Sequence, residues 1–407
     1  MSGQAGQGKR RAALLMIAVV AIALGLAACG GSASSSSGSG GSSSGGSGSA
    51  GPIKVGYIQA LTGPGNVFAT DNNNGINAAL AQINANPPGG HKIVLVRADD
   101  ATDPTTAAQQ CSRLVNQDHV VAIIGQEIAA AVAACNEYAQ KAGIPYIENA
   151  PGAGTYCAAN YYNTGPTNQQ SANTLIDFLM SKGYKRIYFV GSDAAAPKLT
   201  FQIAEKYLTS KGGTVAGTSY EPLNTSDWSS DLSKIASSHP DAIFSAAIGA
   251  DDVAFHKQLA SNPQTAKIKE ADLILLPVLV PVIGPQNLAG SYLEASYLPT
   301  ITSPASQTFV SAVKAATGGK ALPFQDAAFL DYSTHLLAQA IAKAGSNVTG
   351  QSLQSALKGQ SYTGPAGTWS FASNQLMSMP VYIGQISPSG QVNVVKTTTP
   401  LPPGSCS

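Results

Sequence analysis

The segment Ile53–Ile58, IKVGYI, followed by the tetrapeptide TGPG at Thr62–Gly65, decides the fold of this chain. A short apolar run bounded by Gly and Pro turn residues predicts a buried strand that ends in a tight turn. The apolar residues that follow recur at the helical spacing i, i+3, i+4 and i+7: Ile76, Ala79, Leu80 and Ile83. The folded part therefore begins as a strand, a turn and a helix.

The same alternation continues through the first half of the chain. We expect further strands at Ile93–Val96 and Val120–Ile124, and another that starts at Gly143. Asp103 before Pro104 is typical of a helix N-cap followed by proline at the first helical position. The apolar stripe of that helix is formed by Ala107, Cys111, Leu114 and Val115.

The alternation restarts after a Gly-, Pro- and Asn-rich crossover at 163–168. Strands are predicted at Arg186–Val190, Thr214–Tyr220, Asp241–Ala246 and Leu273–Leu276. Apolar residues at helical spacing mark the helices of this half: Leu175, Phe178 and Leu179; Ala204, Tyr207 and Leu208; Trp228, Leu232 and Ile235; and Val253–Leu259. Two such runs predict an α/β fold of two lobes, each with a mostly parallel sheet covered on both faces. Ligands of such sheets bind at the carboxyl ends of the strands, so two facing lobes predict one cleft.

The N-terminus reads as a lipoprotein signal peptide over residues 1–28. Lys9–Arg11 precede an apolar run from Ala12, and Leu26–Cys29, LAAC, supplies small residues and a cysteine for cleavage and lipidation. An uncleaved membrane anchor and ordinary secretion are the alternatives. Residues 29–51 hold the lipidated Cys29 and a Ser/Gly tether with an r.m.s. reach of roughly 25 Å. We expect an extracytoplasmic protein that is lipid-anchored to the cell membrane.

Composition and cysteine count narrow the class of protein. The 407 residues carry a net charge of +1, so no basic surface for nucleic acid is indicated. With Cys29 lipidated, four cysteines remain, and of their three possible pairings we favour Cys111–Cys135 with Cys157–Cys406. The histidines are scattered and no CxxC motif occurs, so neither a metal site nor a cofactor is expected.

The order of several short motifs resembles the type I periplasmic binding proteins, in particular the Leu/Ile/Val-binding branch that feeds ABC importers. The resemblance covers 53–395 and is carried by Ile53–Ile58, Leu61–Pro64, Asn74–Gly75, Asp99–Pro104, Val121–Gly125, Gly143–Tyr146 and Asp331–Tyr332. It implies two Rossmann-like lobes joined by three hinge crossovers. Lobe 1 would hold 53–166 plus 298–360, lobe 2 would hold 167–297 plus 361–395, and 396–407 would form a tail. It also implies a monomer that binds a small-molecule solute and meets an ABC permease and its ATPase.

The resemblance also assigns candidate ligand-binding positions. The family's carboxylate-binding hydroxyls fall on Ala129 or Ala130 and near Pro151–Gly152, and its ammonium-binding carboxylate falls near Val278. The aromatic positions of lobe 2 fall near Pro197 and Ile248, whereas Phe68 retains the aromatic wall after the Gly-Pro turn. The remaining polar candidates are Gln126, Glu127, Glu148, Asn149, Asp193, Gln325 and Asp326. This site is more apolar than a zwitterion requires.

Two other functions compete with solute transport. S-x-x-K motifs occur at Ser311–Lys314 and Ser355–Lys358, but both fall in expected amphipathic helices without the companion motifs of an enzyme. We therefore expect no enzyme. A lipid-anchored ligand sensor or envelope adaptor with the same fold is the alternative to a transport role, because a fold does not fix its function.

Overall fold

Parallel strands lie at the centre of both halves of the chain in the computed structural model, which describes residues 51–125, 129–152 and 157–404. The predicted signal peptide, Cys29 and nearly all of the tether lie outside these residues, as do Gln126, Glu127 and Cys406. The strands are β1 Ile53–Gln59, β2 Ile93–Asp99, β3 Ile123–Gly125, β4 Tyr146–Glu148, β5 Tyr161–Asn163, β6 Arg186–Ser192, β7 Thr214–Glu221, β8 Ala242–Ala246, β9 Lys269–Asp272, β10 Tyr292–Ala295, β11 Ser361–Gly364, β12 Gly367–Phe371, β13 Met377–Ser378, β14 Tyr382–Ile386 and β15 Val392–Thr397.

Helices alternate with these strands. They are α1 Ala69–Ala85, α2 Pro104–Asn116, α3 Ala129–Lys141, α4 Asn168–Ser181, α5 Ala195–Ser210, α6 Ser229–Ser238, α7 Ala250–Ser261, α8 Val280–Ile283, α9 Pro285–Leu288, α10 Pro304–Ala316, α11 Gln325–Ala344 and α12 Gly350–Leu357. As predicted, Asp103 caps α2 by accepting a hydrogen bond from the N–H of Thr106. In the described part of the chain, no helix combines the length and apolar character needed to span a membrane.

The strands form two large sheets and one small one. The first sheet is parallel throughout, in the order β2-β1-β3-β4-β5. The second has the order β15-β14-β10-β9-β8-β6-β7; its strands β6 to β10 run parallel, and β14 and β15 extend it in antiparallel fashion. The small sheet, β11-β12-β13, packs beside α11. Two mostly parallel sheets confirm the predicted α/β fold of two lobes.

One predicted strand is wrong. The strand expected at Leu273–Leu276 lies instead at β9, and the four apolar residues form the loop that follows it. The reason is physical: β9 buries Glu270 and Asp272, whose charges made the segment read as solvent-exposed, whereas the loop packs its apolar side chains into neighbouring clusters.

Helix α11 is the most deeply buried helix of the first lobe and packs along α1. Gly75 of α1 makes the contact possible, because a Cβ at this position would lie 2.3 Å from the backbone oxygen of Ala327. The predicted disulfide Cys111–Cys135 is confirmed and ties α2 to α3, with a Cα–Cα distance of 5.3 Å. Cys157 is also disulfide-bonded; its pairing with Cys406 stays a prediction.

Candidate functional site

The carboxyl ends of the parallel strands define the candidate site. In the first sheet β1 ends at Gln59 and β4 at Glu148; in the second, β6 ends at Ser192 and β9 at Asp272. The loops and helices that follow the strands of both sheets carry most of the predicted ligand-binding residues that the structure describes. This is the edge at which ligands bind open parallel sheets.

The loop after β1 is held by Asp99, the last residue of β2. Its carboxylate accepts hydrogen bonds from the N–H groups of Leu61 and Thr62 at 3.0 and 3.2 Å, and from the hydroxyl of Thr62 at 2.7 Å. Partial burial opposes ionisation, but these bonds outweigh it and lower the pKa of Asp99 below its usual range. The fixed loop leads through a single 3-10 turn to Val67, which is exposed, and Phe68, which is half-buried.

Beneath this loop lies a cluster of three buried amides, Gln59, Asn72 and Asn149, which we call the amide cluster. Gln59 donates to Asn149 at 3.1 Å, Asn72 donates to Gln59 at 2.9 Å, and Asn149 donates to Asn72 at 3.4 Å. All three side chains are buried. Asn149, a predicted ligand residue, therefore joins β1, α1 and the end of β4.

Glu148 is also bonded within the chain. Its carboxyl group accepts hydrogen bonds from the hydroxyl of Tyr161 and, at 3.0 Å, from the amide of Asn163. Burial is the largest influence on this group and raises the pKa of Glu148 to about 8, although the two bonds act in the opposite direction. At pH 7 the group is mostly protonated, so it is a poor anionic partner for a ligand ammonium.

Asp326, in the first turn of α11, is also a buried carboxyl group with a raised pKa. Burial and the nearby charge of Asp71 raise its pKa to about 8. Asp71 itself accepts hydrogen bonds from the N–H of Phe324 at 3.2 Å and of Ala327 at 2.9 Å, which ties α1 to the start of α11. Burial raises the pKa of Asp71 to about 6. The pair thus anchors the two helices. At pH 7 Asp326 is mostly protonated, whereas Asp71 is mostly ionised and is already bonded to the N–H groups of Phe324 and Ala327.

The strand ends of the second sheet present apolar side chains instead. Ile248, after β8, is 39% exposed, and Val278, after β9, is 65% exposed. The hydroxyl of Ser192 holds the Ile248 loop: it donates to Asp251 at 2.7 Å and accepts from the N–H of Ile248 at 2.9 Å. Pro197 is buried in α5.

Of the other candidates, three are exposed and two have polar partners within the chain. Ala129 and Ala130 are exposed at the start of α3, and Pro151 is exposed after β4. Asp193 forms an ion pair with Lys198, and Gln325 accepts a hydrogen bond from the N–H of Ser296 at 3.1 Å. Sequence reasoning missed Gln59, Asn72 and Val67. The only available signal was a polar residue, Gln59, directly after an apolar strand.

Known proteins place this fold in context. A family model described as "Periplasmic binding protein" matches residues 52–391. The Leu/Ile/Val-binding protein homolog 7 of Brucella abortus is 26% identical over 219 residues, which is 51% of this chain and 55% of that protein. The chain thus spans about half the length of the curated relatives it matches.

Solved structures resemble the chain over a larger share of its length. An ABC transporter substrate-binding protein from Sphaerobacter thermophilus superposes with a TM-score of 0.80 at 23% identity, covering 86% of this chain and 98% of that one. A solute binding protein of an ABC transporter from Rhodopseudomonas palustris HaA2, in complex with p-hydroxybenzoic acid, gives a TM-score of 0.78 at 21% identity over 86% and 98%. At these identities the likeness shows the fold alone.

Proposed function

Since the chain belongs to the periplasmic binding protein family, we propose that it is an extracytoplasmic solute-binding protein that captures a small organic molecule between its lobes and delivers it to an ABC importer. The family is one of binding proteins, in agreement with the expectation that the chain is not an enzyme. The proposed lobes are 53–166 plus 298–360 and 167–297 plus 361–395, and lipidated Cys29 tethers them to the membrane. Replacing Cys29 by Ser should move the protein from the membrane fraction to the soluble fraction.

One observation carries the proposal: large apolar side chains are exposed at the strand ends of both sheets. Val67 follows β1, Ile248 follows β8 and Val278 follows β9, with exposed fractions of 57%, 39% and 65%. Apolar side chains left exposed at this edge favour binding of a solute with an apolar body. Closure of the lobes over a solute would bury these side chains.

The solute we propose has an apolar or aromatic body and no ammonium group. Glu148 and Asp326 are mostly protonated at pH 7, and Asp193 is already paired with Lys198. The candidates that the structure describes would therefore leave a buried ammonium without a charged partner, at high cost. A carboxylate is acceptable, because the first N–H groups of α3, at Ala129 and Ala130, favour an anion. Benzoates, like the ligand in the Rhodopseudomonas palustris structure, are the first compounds to test.

The test is a thermal-shift screen of the full chain with benzoate, its hydroxylated forms, aliphatic carboxylic acids, amides and branched-chain amino acids. A ligand present at 100 times its Kd should stabilise the protein by about 2.7 kcal/mol. Phe68→Ala should then weaken binding of that ligand by about tenfold or more, whereas Val395→Ala, which trims an exposed apolar residue on the outer strand β15, should leave it unchanged.

Two results would contradict the proposal. A panel without any stabilising compound would argue against solute capture. Preferential binding of leucine or isoleucine over every acid that lacks an ammonium would refute the solute class while leaving the transport role intact.

A further inference from the structure

Helix α7 and strand β9 bring four buried ionisable side chains together in the second lobe. Asp252 and His256 are four residues apart on one face of α7, and Glu270 and Asp272 are two residues apart on one face of β9. Each of the four side chains is at most 2% exposed. We call this group the carboxylate–histidine cluster. Ligand atoms of Asp252, His256 and Asp272 lie within 4.8 Å of one another.

The imidazole of His256 has acceptors close to Nδ1 and no hydrogen-bond partner at Nε2. Its Nδ1 lies 3.0 Å from the backbone oxygen of Asp252 and 2.8 Å from Oδ1 of the same residue. When the imidazole is neutral, the acceptors around Nδ1 keep its one proton there, and Nε2 then carries a lone pair that can bind a metal ion. This buried Nε2 has no hydrogen-bond partner.

Nε2 of His256 is directed at two carboxylates. It lies 3.5 Å from Oε1 of Glu270 and 3.8 Å from Oδ2 of Asp272. A charge-assisted hydrogen bond is about 2.7–2.9 Å long, so neither contact is one. Two ligand atoms that each lie about 2.0–2.1 Å from a tetrahedral metal ion are about 3.4 Å apart. The spacing therefore matches ligands around an ion better than it matches a direct bond.

The carboxylate–histidine cluster contains more acidic groups than basic ones. Three carboxyl groups share one imidazole, and among the described residues no Lys or Arg forms an ion pair with them. The hydroxyl of Ser245 lies between Glu270 and Asp272, 2.9 Å from the latter, but it has only one proton to donate. One imidazole cannot offset the charge of three buried carboxylates. A proton or a metal ion must neutralise the group.

We propose that the carboxylate–histidine cluster binds one divalent transition-metal ion of the Zn²⁺ class. His256 Nε2, Glu270 Oε1 and Asp272 Oδ2 are the ligands, and Asp252 is a positioning residue that fixes the imidazole through Nδ1. One nitrogen and two carboxylate ligands suit Zn²⁺ better than Mg²⁺. A carboxylate behind a metal-binding imidazole is the usual support for such a ligand.

A cavity borders the cluster at Glu270. Glu270 lies on the wall of a cavity of about 370 Å³, whose other polar lining residues are Lys267, Lys269, Gln286, Asn287 and Ser291. The cavity lies beside the amino end of β9, whereas the proposed solute site lies at the carboxyl ends of the strands. Metal binding is therefore a property separate from solute capture.

The experiment uses the full chain without an affinity tag, stripped with a chelator and titrated with Zn²⁺ or Mg²⁺ by calorimetry. We expect one Zn²⁺ per chain, at least tenfold preference over Mg²⁺, and a rise in Tm with Zn²⁺. His256→Gln and Asp272→Asn should each weaken Zn²⁺ binding at least 100-fold. Asp272→Asn removes a negative charge and His256→Gln introduces an uncharged polar side chain, and circular dichroism verifies that both variants fold.

His335→Gln is the matched control. Asp331 and His335 form the same i, i+4 pair on α11, with Nδ1 of His335 3.0 Å from the backbone oxygen of Asp331, but the ring stacks on Tyr362. This variant should bind Zn²⁺ like the unaltered chain. The proposal is overturned if the unaltered chain binds no Zn²⁺ or if His256→Gln binds it with unchanged affinity; the cluster would then be neutralised by protons alone.

Discussion

Glu148 and Asp272 each end a strand as a buried carboxyl group, but the two lobes neutralise them differently. Around Glu148 the partners are neutral donors, the hydroxyl of Tyr161 and the amide of Asn163. Around Asp272 the partners include His256 and a second carboxylate, Glu270. A single proton is enough to neutralise Glu148. The environment of Asp272 contains an unbonded imidazole nitrogen and excess negative charge, which are the conditions for binding a metal ion.

The contrast shows that burial alone does not identify a functional carboxylate. Both groups have a raised pKa because both are desolvated. What distinguishes them is whether the surrounding donors and acceptors are paired, and this depends on which side chains the neighbouring elements supply.

The largest predicted effect is the pH dependence of stability that Glu148 causes. Glu148 titrates near its ordinary value of 4.5 in the unfolded chain but at about 8 in the native state. The native state therefore holds more protons across this window, and stability falls as the pH rises through it. Glu148→Gln should remove this fall, which linkage sets at up to about 5 kcal/mol. Urea unfolding of both proteins at pH 5 and pH 8.5 measures the difference.

The same unfolding experiment can be repeated in the presence of Zn²⁺. Because Glu148 has no imidazole beside it, the difference between Glu148→Gln and the unaltered chain should be the same with and without Zn²⁺. A difference that changes with the metal would mean that the two carboxyl environments are not distinct.

The second prediction concerns the Cys111–Cys135 disulfide, which stabilises the first lobe without a metal ion. Replacing Cys111 and Cys135 together by Ala opens a loop with a sequence separation of 24 residues. Loop entropy predicts a loss of about 3 kcal/mol in the free energy of unfolding. Zn²⁺ affinity should stay the same, because the cluster lies in the other lobe. A loss below 1 kcal/mol, or a weakened Zn²⁺ affinity, would contradict this division of roles.

The smallest predicted loss of stability concerns the amide cluster, which, unlike the carboxylate–histidine cluster, contains no ionisable group. Asn72→Ala leaves Gln59 and Asn149 without a shared partner and should cost about 2 kcal/mol. The cost should be equal at pH 5 and pH 8, since amides do not titrate there. The control is Asn77→Ala, on the exposed face of the same helix, with an expected change of about 0.5 kcal/mol or less. A pH-dependent cost would show that the amide cluster is coupled to Glu148.

Local patterning predicted most of the fold. The strand Ile53–Ile58, the helix stripe from Ile76 to Ile83 and the Asp103 cap all depend on contacts within a few residues, and each lies where it was expected. Strand β9 did not obey the pattern. Its buried charges face His256 of α7 and Ser245 of β8, and local hydropathy contains no information about those neighbours.

The structure locates most of the candidate residues, and their binding role stays a prediction. Ile248 and Val278 are exposed at strand ends, as an apolar cleft requires, but Glu148 and Asn149 are bonded internally. Residues 126–127 lie outside the described part of the chain, so their role stays a prediction. The amide cluster joins residues up to 90 positions apart, and no spacing in the sequence signals such a contact.

The sequence by itself determined the α/β alternation and the division into two runs, because periodicity and the order of elements are local properties. It favoured the Cys111–Cys135 pairing, which the structure confirms. Only the tertiary structure decided which polar groups are satisfied. It placed Gln59 against Asn149, and it placed His256 of α7 above Glu270 and Asp272 of β9. The ionisation and binding capacity of a buried group depend on the few ångströms around it, and side chains distant in sequence supply that environment.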